Sequence, residues 1–481
     1  MNTASGTGNL PPSVPSTEFT LPQAVLRRTA RSELKALSLL AAPIVLTQLS
    51  QMGMSIIDLM FAGRVSAADL AGIGLGASLF WPSMLLTAGM LFAVTPTVAQ
   101  LYGAGRTGET GAVARQAGWL AFAGAIVVIS VLMNAESIYR AFNVDPVGIP
   151  IAVGYLQAQA VGIFALFGYF VFRNLCEGLA FTLPAMVIGL LSLALKIPLN
   201  YVFVMGAFGI EGRGGIGCGI ATAWIFWFQF FAIVVAVLVT RIKRSGVFDR
   251  FDPPRFAEIW ALVRLGFPIG TSIFAEVSFF SGIVMLIGRF GVDVVASHNI
   301  ATSFAGAAFM IPLAIGMAST IRVGASVGAR EFTYAWLTVR VAIGSALVVG
   351  LIAAIVMLLG REQLVTLYND EPQVVELASV LFLYCALFQL FDCTQVVMMG
   401  SLRGYKDTTK PMFIAIAAYW GIGMPIGLAF GFGWLTDEPA EVVGFWWGLC
   451  AGLSAAAIGL SIRVVRTANA YIAGRRTPPP I

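Results

Sequence analysis

Twelve long apolar runs, separated by short polar breaks, restrict this chain more than any motif within it. They lie at about 38–62, 70–98, 116–134, 150–172, 184–206, 215–240, 265–287, 296–320, 339–360, 377–402, 411–433 and 442–462. Each is long enough to cross a hydrocarbon core as a helix, which takes about 20 residues. None alternates polar and apolar positions, so the runs read as helices and not as strands of a barrel. Only 11% of the residues are charged and 58% are hydrophobic, whereas a soluble domain is ~25% charged. The expected class is an all-α integral membrane protein with twelve transmembrane helices.

The flanks differ in character. Residues 1–35 are rich in Ser, Thr, Pro and Gly, end in Arg27, Arg28, Arg31 and Lys35, and hold no apolar core. They read as a disordered tail and not as a signal peptide. Residues 467–481, with Pro478, Pro479 and Pro480, read as a second tail. Of the 29 Lys and Arg, 23 fall in the tails and in the loops after the even-numbered spans; Arg64, Arg140, Arg213, Arg289 and Arg361 fall on the other side. Basic loops stay in the cytoplasm, so both termini are expected there.

The two halves repeat. A shift of 225 maps Pro43 onto Pro268, Gly63-Arg64 onto Gly288-Arg289, and Gly103-Ala104 onto Gly328-Ala329; a shift of 227 maps Pro184 onto Pro411 and Pro198 onto Pro425. The expected organisation is a six-helix bundle over 36–240, a basic cytoplasmic linker over 241–264, and a second six-helix bundle over 265–466. Six is even, so both bundles enter from one side as parallel repeats. Matched prolines in spans 1 and 7, and in 5 and 11, are expected to interrupt the helices at equivalent places.

Charges inside the spans need a reason, because each costs at least ~2.5 kcal/mol to insert. Four stand out: Glu276 in span 7, Asp392 in span 10, Asp58 in span 1 and Lys196 in span 5. In span 1, Thr47, Gln51, Ser55 and Asp58 share a helical face; in span 10, Tyr384, Phe388, Asp392 and Gln395 do the same. Such stripes are expected to line a protein cavity. A carboxylate there pays for its desolvated charge unless it binds a proton or a hard cation, and an organic cation is drawn to the same charge. The alternative is a carboxylate that only ties helices together by hydrogen bonds.

Several stretches resemble one family. They are Gln51-Met-Gly-Met-Ser-Ile-Ile-Asp58-Leu-Met-Phe-Ala-Gly63, Arg173-Asn-Leu-Cys-Glu177-Gly, Ile197-Pro-Leu-Asn200-Tyr, Gly215-Ile-Gly217-Cys-Gly219 and Gly400-Ser-Leu-Arg403-Gly404-Tyr405-Lys406-Asp407. Together they resemble multidrug and toxic compound extrusion (MATE) transporters of the NorM-like branch, from about residue 36 to 465. The resemblance implies two bundles in a V around a central cleft, and export of bulky, often cationic or amphipathic compounds against an inward flow of protons or sodium. It implies no cofactor, a monomer, and a place in the bacterial inner membrane.

On this resemblance Glu276 and Asp392 form the ion-coupling site, holding a proton or sodium, with Tyr384 replacing an oxygen that Phe388 lacks. Asp58, Asn200, Gln51 and Lys196 form a polar network in the first bundle. Phe388, Gln395 and Ser55 face the substrate cleft. Lys196 departs from the family pattern: either it pairs with Asp58 as an internal counter-ion or it snorkels to an interface.

Other classes lack their signatures. One His and five scattered Cys (Cys176, Cys218, Cys385, Cys393 and Cys450) give neither a metal-ligand pattern nor a redox pair, and no nucleophile–base set sits in the spans, so an enzyme is not expected. Gly212–Gly219 lacks the Lys-Ser/Thr ending of a phosphate loop, and nothing points to nucleic acid. His298 reads as a helix cap or hydrogen-bonding residue, and Asp370-Glu371 as a solvated outer loop. A lipid-linked precursor flippase remains the alternative function; it would need a markedly cationic cleft.

Overall fold

With no water in the bilayer core, each backbone N–H and C=O has to bond within its own segment, and this chain meets that demand with helices. The computed structural model describes residues 29–142, 148–368, 371–435 and 438–477. Long apolar helices run over α1 Ala30–Val65, α2 Ala67–Gly103, α3 Thr107–Met133, a bent pair α4 Ile149–Ala160 and Ile163–Gly178, α5 Leu183–Gly206, α6 Gly214–Val239, α7 Phe256–Phe290, α8 Val292–Gly328, α9 Phe332–Thr366, α10 Pro372–Gly404, α11 Thr409–Gly431 and α12 Glu441–Ile472. With the bent pair counted as one span, these are the twelve expected. The described residues hold no strand beyond one Ala207–Ile210 bridge.

The ends differ from expectation. The proposed tail up to residue 28 and the segment Pro478–Pro480 lie outside the described residues, as does Asp370. Helix α1 already begins at Ala30, where the Thr29 hydroxyl accepts the Ser32 N–H at 3.3 Å. Helix α12 continues through Ile472, because Tyr471 is buried between Tyr405 and Phe332, with ring centroids 5.4 and 5.2 Å away. The linker is shorter than 241–264, since α7 starts at Phe256. It is also tied down: Arg115 Nε donates to Asp252 at 2.7 Å and its Nη1 to the Gly246 carbonyl at 2.6 Å, while Trp119 donates to the Asp252 carbonyl at 3.0 Å. The Arg115 guanidinium holds the Asp252 carboxyl below the usual carboxylate range.

The prolines act differently from one another. Helices α1 and α7 continue through Pro43 and Pro268, and in each the hydroxyl four residues later donates to the proline carbonyl, Thr47 at 2.9 Å and Ser272 at 2.7 Å. Pro184 and Pro411 sit in the first turns of α5 and α11, where a missing N–H costs nothing. The clear break is in α2, between Leu91 and Val94, where Pro96 cannot bond the Phe92 carbonyl.

Each half has its own buried core, one built on Phe167, Tyr169 and Leu175, the other on Phe382, Trp446 and Phe445. A third cluster joins the halves, where Leu37, Ala41 and Ile44 of α1 pack on α8, α9 and α10. At the end that carries the termini and the linker, the halves meet backbone to backbone. A Cβ on Gly103 would fall 1.9 Å from the Ala325 carbonyl oxygen, and one on Gly328 would fall 1.9 Å from that of Gln100. Glycine is required at both. The repeat shift exchanges the two contacts, so the seam is two-fold symmetric. Gln100 Nε2 crosses it to the Gly404 carbonyl at 2.9 Å, and Glu33 crosses it to Arg322 Nε at 2.9 Å and Thr338 Oγ1 at 2.7 Å.

Gly103→Val and Gly328→Val are expected to open this seam equally. Overpacking costs ~1–3 kcal/mol in a well-packed interior, so each should lower the melting temperature of the purified protein and reduce cross-linking between cysteines placed at Ala99 and Gly324.

Candidate functional site

Above the seam, the two halves enclose a cavity of about 630 Å³. The first half contributes α1, the broken α2 and α4; the second contributes α7, α8, α10 and α12. Its walls are mainly apolar, among them Trp81, Phe92, Phe170, Phe280, Phe309 and Trp446. Such a surface suits an apolar or aromatic guest, with few polar groups to orient it.

Glu276 and Asp392 both line this cavity, from α7 and α10. Asp392 is 4% exposed and makes no hydrogen bond or ion pair among the described residues. Glu276 accepts one bond, from Gln395 Nε2 at 3.3 Å, and it too has no ion pair among the described residues. Gln395 also bonds the Tyr419 hydroxyl, which a π-helical turn of α11, Ala417–Gly423, aims at it. The Gln395 Oε1 is buried without a donor. The site therefore gathers two carboxylates and an amide oxygen without an ion pair among the described residues, Arg403 interacting with Glu276 only at longer electrostatic range.

The other expected residues divide. Phe388 lines the cavity, its ring edge-on to Phe280 and Trp446 at 5.9 and 6.0 Å. Tyr384 does not line it: eight residues before Asp392 is ~80° off that face, and Tyr384 packs into the core of its own half. Tyr419 supplies the hydroxyl instead. Ser55 is exposed and does not line the cavity. Gln51 does line it; it lies two turns from Asp58, ~10 Å along the helix, and is not part of the Asp58 network.

That network is closed upon itself. Lys196 Nζ lies 2.9 Å from Asp58 Oδ1, and Asn200 Nδ2 donates to the same oxygen at 2.8 Å. Lys196 is 1% exposed, so it pairs and does not snorkel. Thr222 of α6 completes the cluster, contacting Lys196 Nζ at 2.5 Å and Asp58 Oδ2 at 3.4 Å. None of the four lines the central cavity.

Sequence reasoning missed three cavity groups. Arg173 and Arg403 were counted as loop residues but lie in α4 and α10, facing the cavity. Arg173 Nε is held by Glu177 at 2.7 Å, and its Nη2 donates to Gln48 at 3.1 Å. The i, i+4 spacing of Arg173 and Glu177 was the available signal. His298 is no cap, since α8 begins at Val292; it lines the cavity against Trp446 at 5.7 Å, and its Nδ1 is buried without a partner.

Comparison with known proteins agrees with this architecture. A family model described as MatE matches residues 43–202 and again 268–428, once in each half. Multidrug resistance protein PmpM of Pseudomonas aeruginosa is 42% identical over 447 residues, which is 92% of this chain and 93% of that protein. Multidrug resistance protein MdtK of Yersinia enterocolitica is 39% identical over 437 residues, 90% of this chain and 95% of that protein. Among solved structures, a eukaryotic MATE transporter, AtDTX14, superposes with a TM-score of 0.82 at 19% identity, covering 93% of this chain and 100% of the other. An outward-facing multidrug resistance MATE family transporter superposes with a TM-score of 0.84 at 18% identity, covering 92% and 97%.

The buried Asp58–Lys196 pair generates its own test. Lys196→Met leaves a buried carboxylate unpaired and should cost ~3–5 kcal/mol. Adding Asp58→Asn should recover most of that loss, read as the melting temperature of the two purified variants.

Proposed function

We propose that this chain, which belongs to the MATE family of multidrug efflux transporters, expels bulky cationic or amphipathic compounds in exchange for an inward-moving ion. The observation that carries this reading is the pair of carboxylates, Glu276 and Asp392, in one cavity between the halves, neither of them in an ion pair among the described residues. Among the other acids within the helices, Asp58 is held by Lys196, Glu177 by Arg173 and Glu33 by Arg322.

The exchange follows from the cost of an unpaired charge in a dry site. When the acids are ionised, a cation from the cavity is favoured; when they take up the coupling ion, the passenger loses its counter-charge and leaves. A ligand shifts the equilibrium between two arrangements of the halves only by its differential affinity for them, and ion and passenger compete for the same charge. Phe388 and Tyr384 bring no oxygen to the acids, but the Tyr419 hydroxyl bonds Gln395 there. The Gln395 Oε1 is buried without a donor, so the geometry fits a proton or sodium as the coupling ion.

The seam closes the end bearing the termini and linker, and the positive-inside rule places that end in the cytoplasm. On this reading the cavity faces outward across a bacterial inner membrane. One chain provides the whole cavity, so a monomer suffices. A lipid-linked precursor flippase would need several free basic groups for a phosphate headgroup; Arg173 is tied to Glu177, which favours drug efflux.

Asp392→Asn and Glu276→Gln are each expected to abolish gradient-driven efflux of a fluorescent cation from proteoliposomes while leaving the protein folded. Imposing pH and sodium gradients separately, without ATP, identifies the coupling ion. Undiminished efflux by both variants would remove the two acids from the mechanism.

A further inference from the structure

The helices also cross the headgroup layer of the bilayer, and one pair of charges on the outer surface lies at that depth. Arg264 immediately precedes the seventh apolar span, 265–287, and Lys410 immediately precedes the eleventh, 411–433. Both are exposed, and neither makes a hydrogen bond or ion pair among the described residues. A basic residue at the edge of the hydrocarbon, on the side of the basic loops, stands level with lipid phosphates.

Packing brings the two together. Thr408 Oγ1 donates to the Leu265 carbonyl at 2.9 Å, so the start of α11 lies beside the start of the apolar part of α7. About three turns deeper, Trp420 Nε1 donates to the Ala275 carbonyl at 3.2 Å and keeps the helices side by side. On α7, Trp260, Arg264 and Phe267 follow at spacings of four and three and form an exposed stripe. On α11, Lys410, Phe413 and Trp420 do the same at three and seven. The acids nearest in sequence are bound elsewhere, Glu258 by Arg255 at 2.8 Å and Asp407 by Arg463 Nε at 2.8 Å. Two like charges on adjacent helices are thus left without a counter-charge, at the head of a strip of aromatic rings.

The duplication supplies a comparison within the chain. The shifts that map Pro43 onto Pro268 and Pro184 onto Pro411 also map Leu39 onto Arg264 and Leu183 onto Lys410. Both leucines are exposed. Lys35, a basic residue of the first half, falls one turn further out, at the position of Trp260. A general excess of basic loops does not explain the pair, because positive charge is set against the hydrocarbon edge at these two positions in one copy only.

We propose that the outer surface of α7 and α11 binds an anionic phospholipid from the leaflet on the side of the termini. Arg264 and Lys410 hold its phosphate, and Phe267, Phe413 and Trp420 lie along an acyl chain. Guanidinium and ammonium groups both suit phosphate oxygens. A zwitterionic lipid brings its own ammonium, which the two cations repel.

The test uses the full-length protein purified in detergent and native mass spectrometry, with phosphatidylglycerol and phosphatidylcholine of identical acyl chains as probes. Wild-type protein is expected to bind phosphatidylglycerol about tenfold or more tightly, since each basic group near the headgroups adds to the attraction. The double variant Arg264→Leu and Lys410→Leu, which installs the residues of the first half, should bring the two lipids within about twofold of each other. Lys35→Leu should leave the wild-type preference in place. Equal binding of both lipids by the wild type would overturn the proposal with no variant needed. A loss of preference in Lys35→Leu as large as in the double variant would also overturn it, in favour of surface charge at large. Glycerol 3-phosphate, a headgroup without chains, should not displace phosphatidylglycerol at the same concentration; displacement would overturn the lipid as occupant. The measurement reads no transport, so its failure leaves the efflux reading standing.

Discussion

Hydrocarbon does not solvate charge, and most of this structure can be understood as a response to that fact. Every ionised side chain in the helices has to find a partner of opposite sign or open onto a cavity. Lys196 and Asp58, Arg173 and Glu177, and Arg322 and Glu33 take the first course. Glu276, Asp392 and Arg403 take the second, and all three line one cavity. The sorting separates charges that are paired within the fold from charges that open onto the cavity, and it follows partner by partner from the geometry.

The duplication gives the frame its symmetry, and the two copies then diverge in chemistry. The seam keeps the repeat faithfully, with Gly103 on Ala325 mirrored by Gly328 on Gln100. The charges do not. The shift that relates the halves maps Glu33 onto Glu258, yet Glu33 is buried against Arg322 across the seam, while Glu258 is exposed and pairs with Arg255 on its own side. Pro96 breaks α2, whereas α8 runs unbroken from Val292 to Gly328. The mid-span acids of the second half face the cavity, and the acid of the first is neutralised in place by Lys196. A two-fold scaffold of the MATE family thus opens its mid-span acids to the cavity from one half only.

A reader of the sequence could see the helices, because twenty residues without a charge admit no other backbone solution in a bilayer. The reader could also see the repeat, through prolines and glycines whose roles depend on local backbone geometry, and could find Asp58, Lys196, Glu276 and Asp392, since each is conspicuous where charge is costly. The helix limits were harder, since polar residues such as Glu33 and Arg403 end an apolar run without ending a helix. That error also misplaced Arg173 and Arg403 in loops.

What the linear chain could not give was the pairing across helices. Helical phase says which residues share a face but not what that face meets, so Tyr384, Ser55 and Gln51 were assigned to neighbours they do not touch. Tyr419, Thr222 and His298 come from helices distant in sequence, and only packing brings them to their sites. The sequence by itself determined a twelve-helix, duplicated membrane protein with acids in its interior, because insertion cost and periodicity are local quantities. The tertiary structure alone decided which acids are neutralised and which stand open to the cavity, because that depends on distances between side chains far apart in the chain.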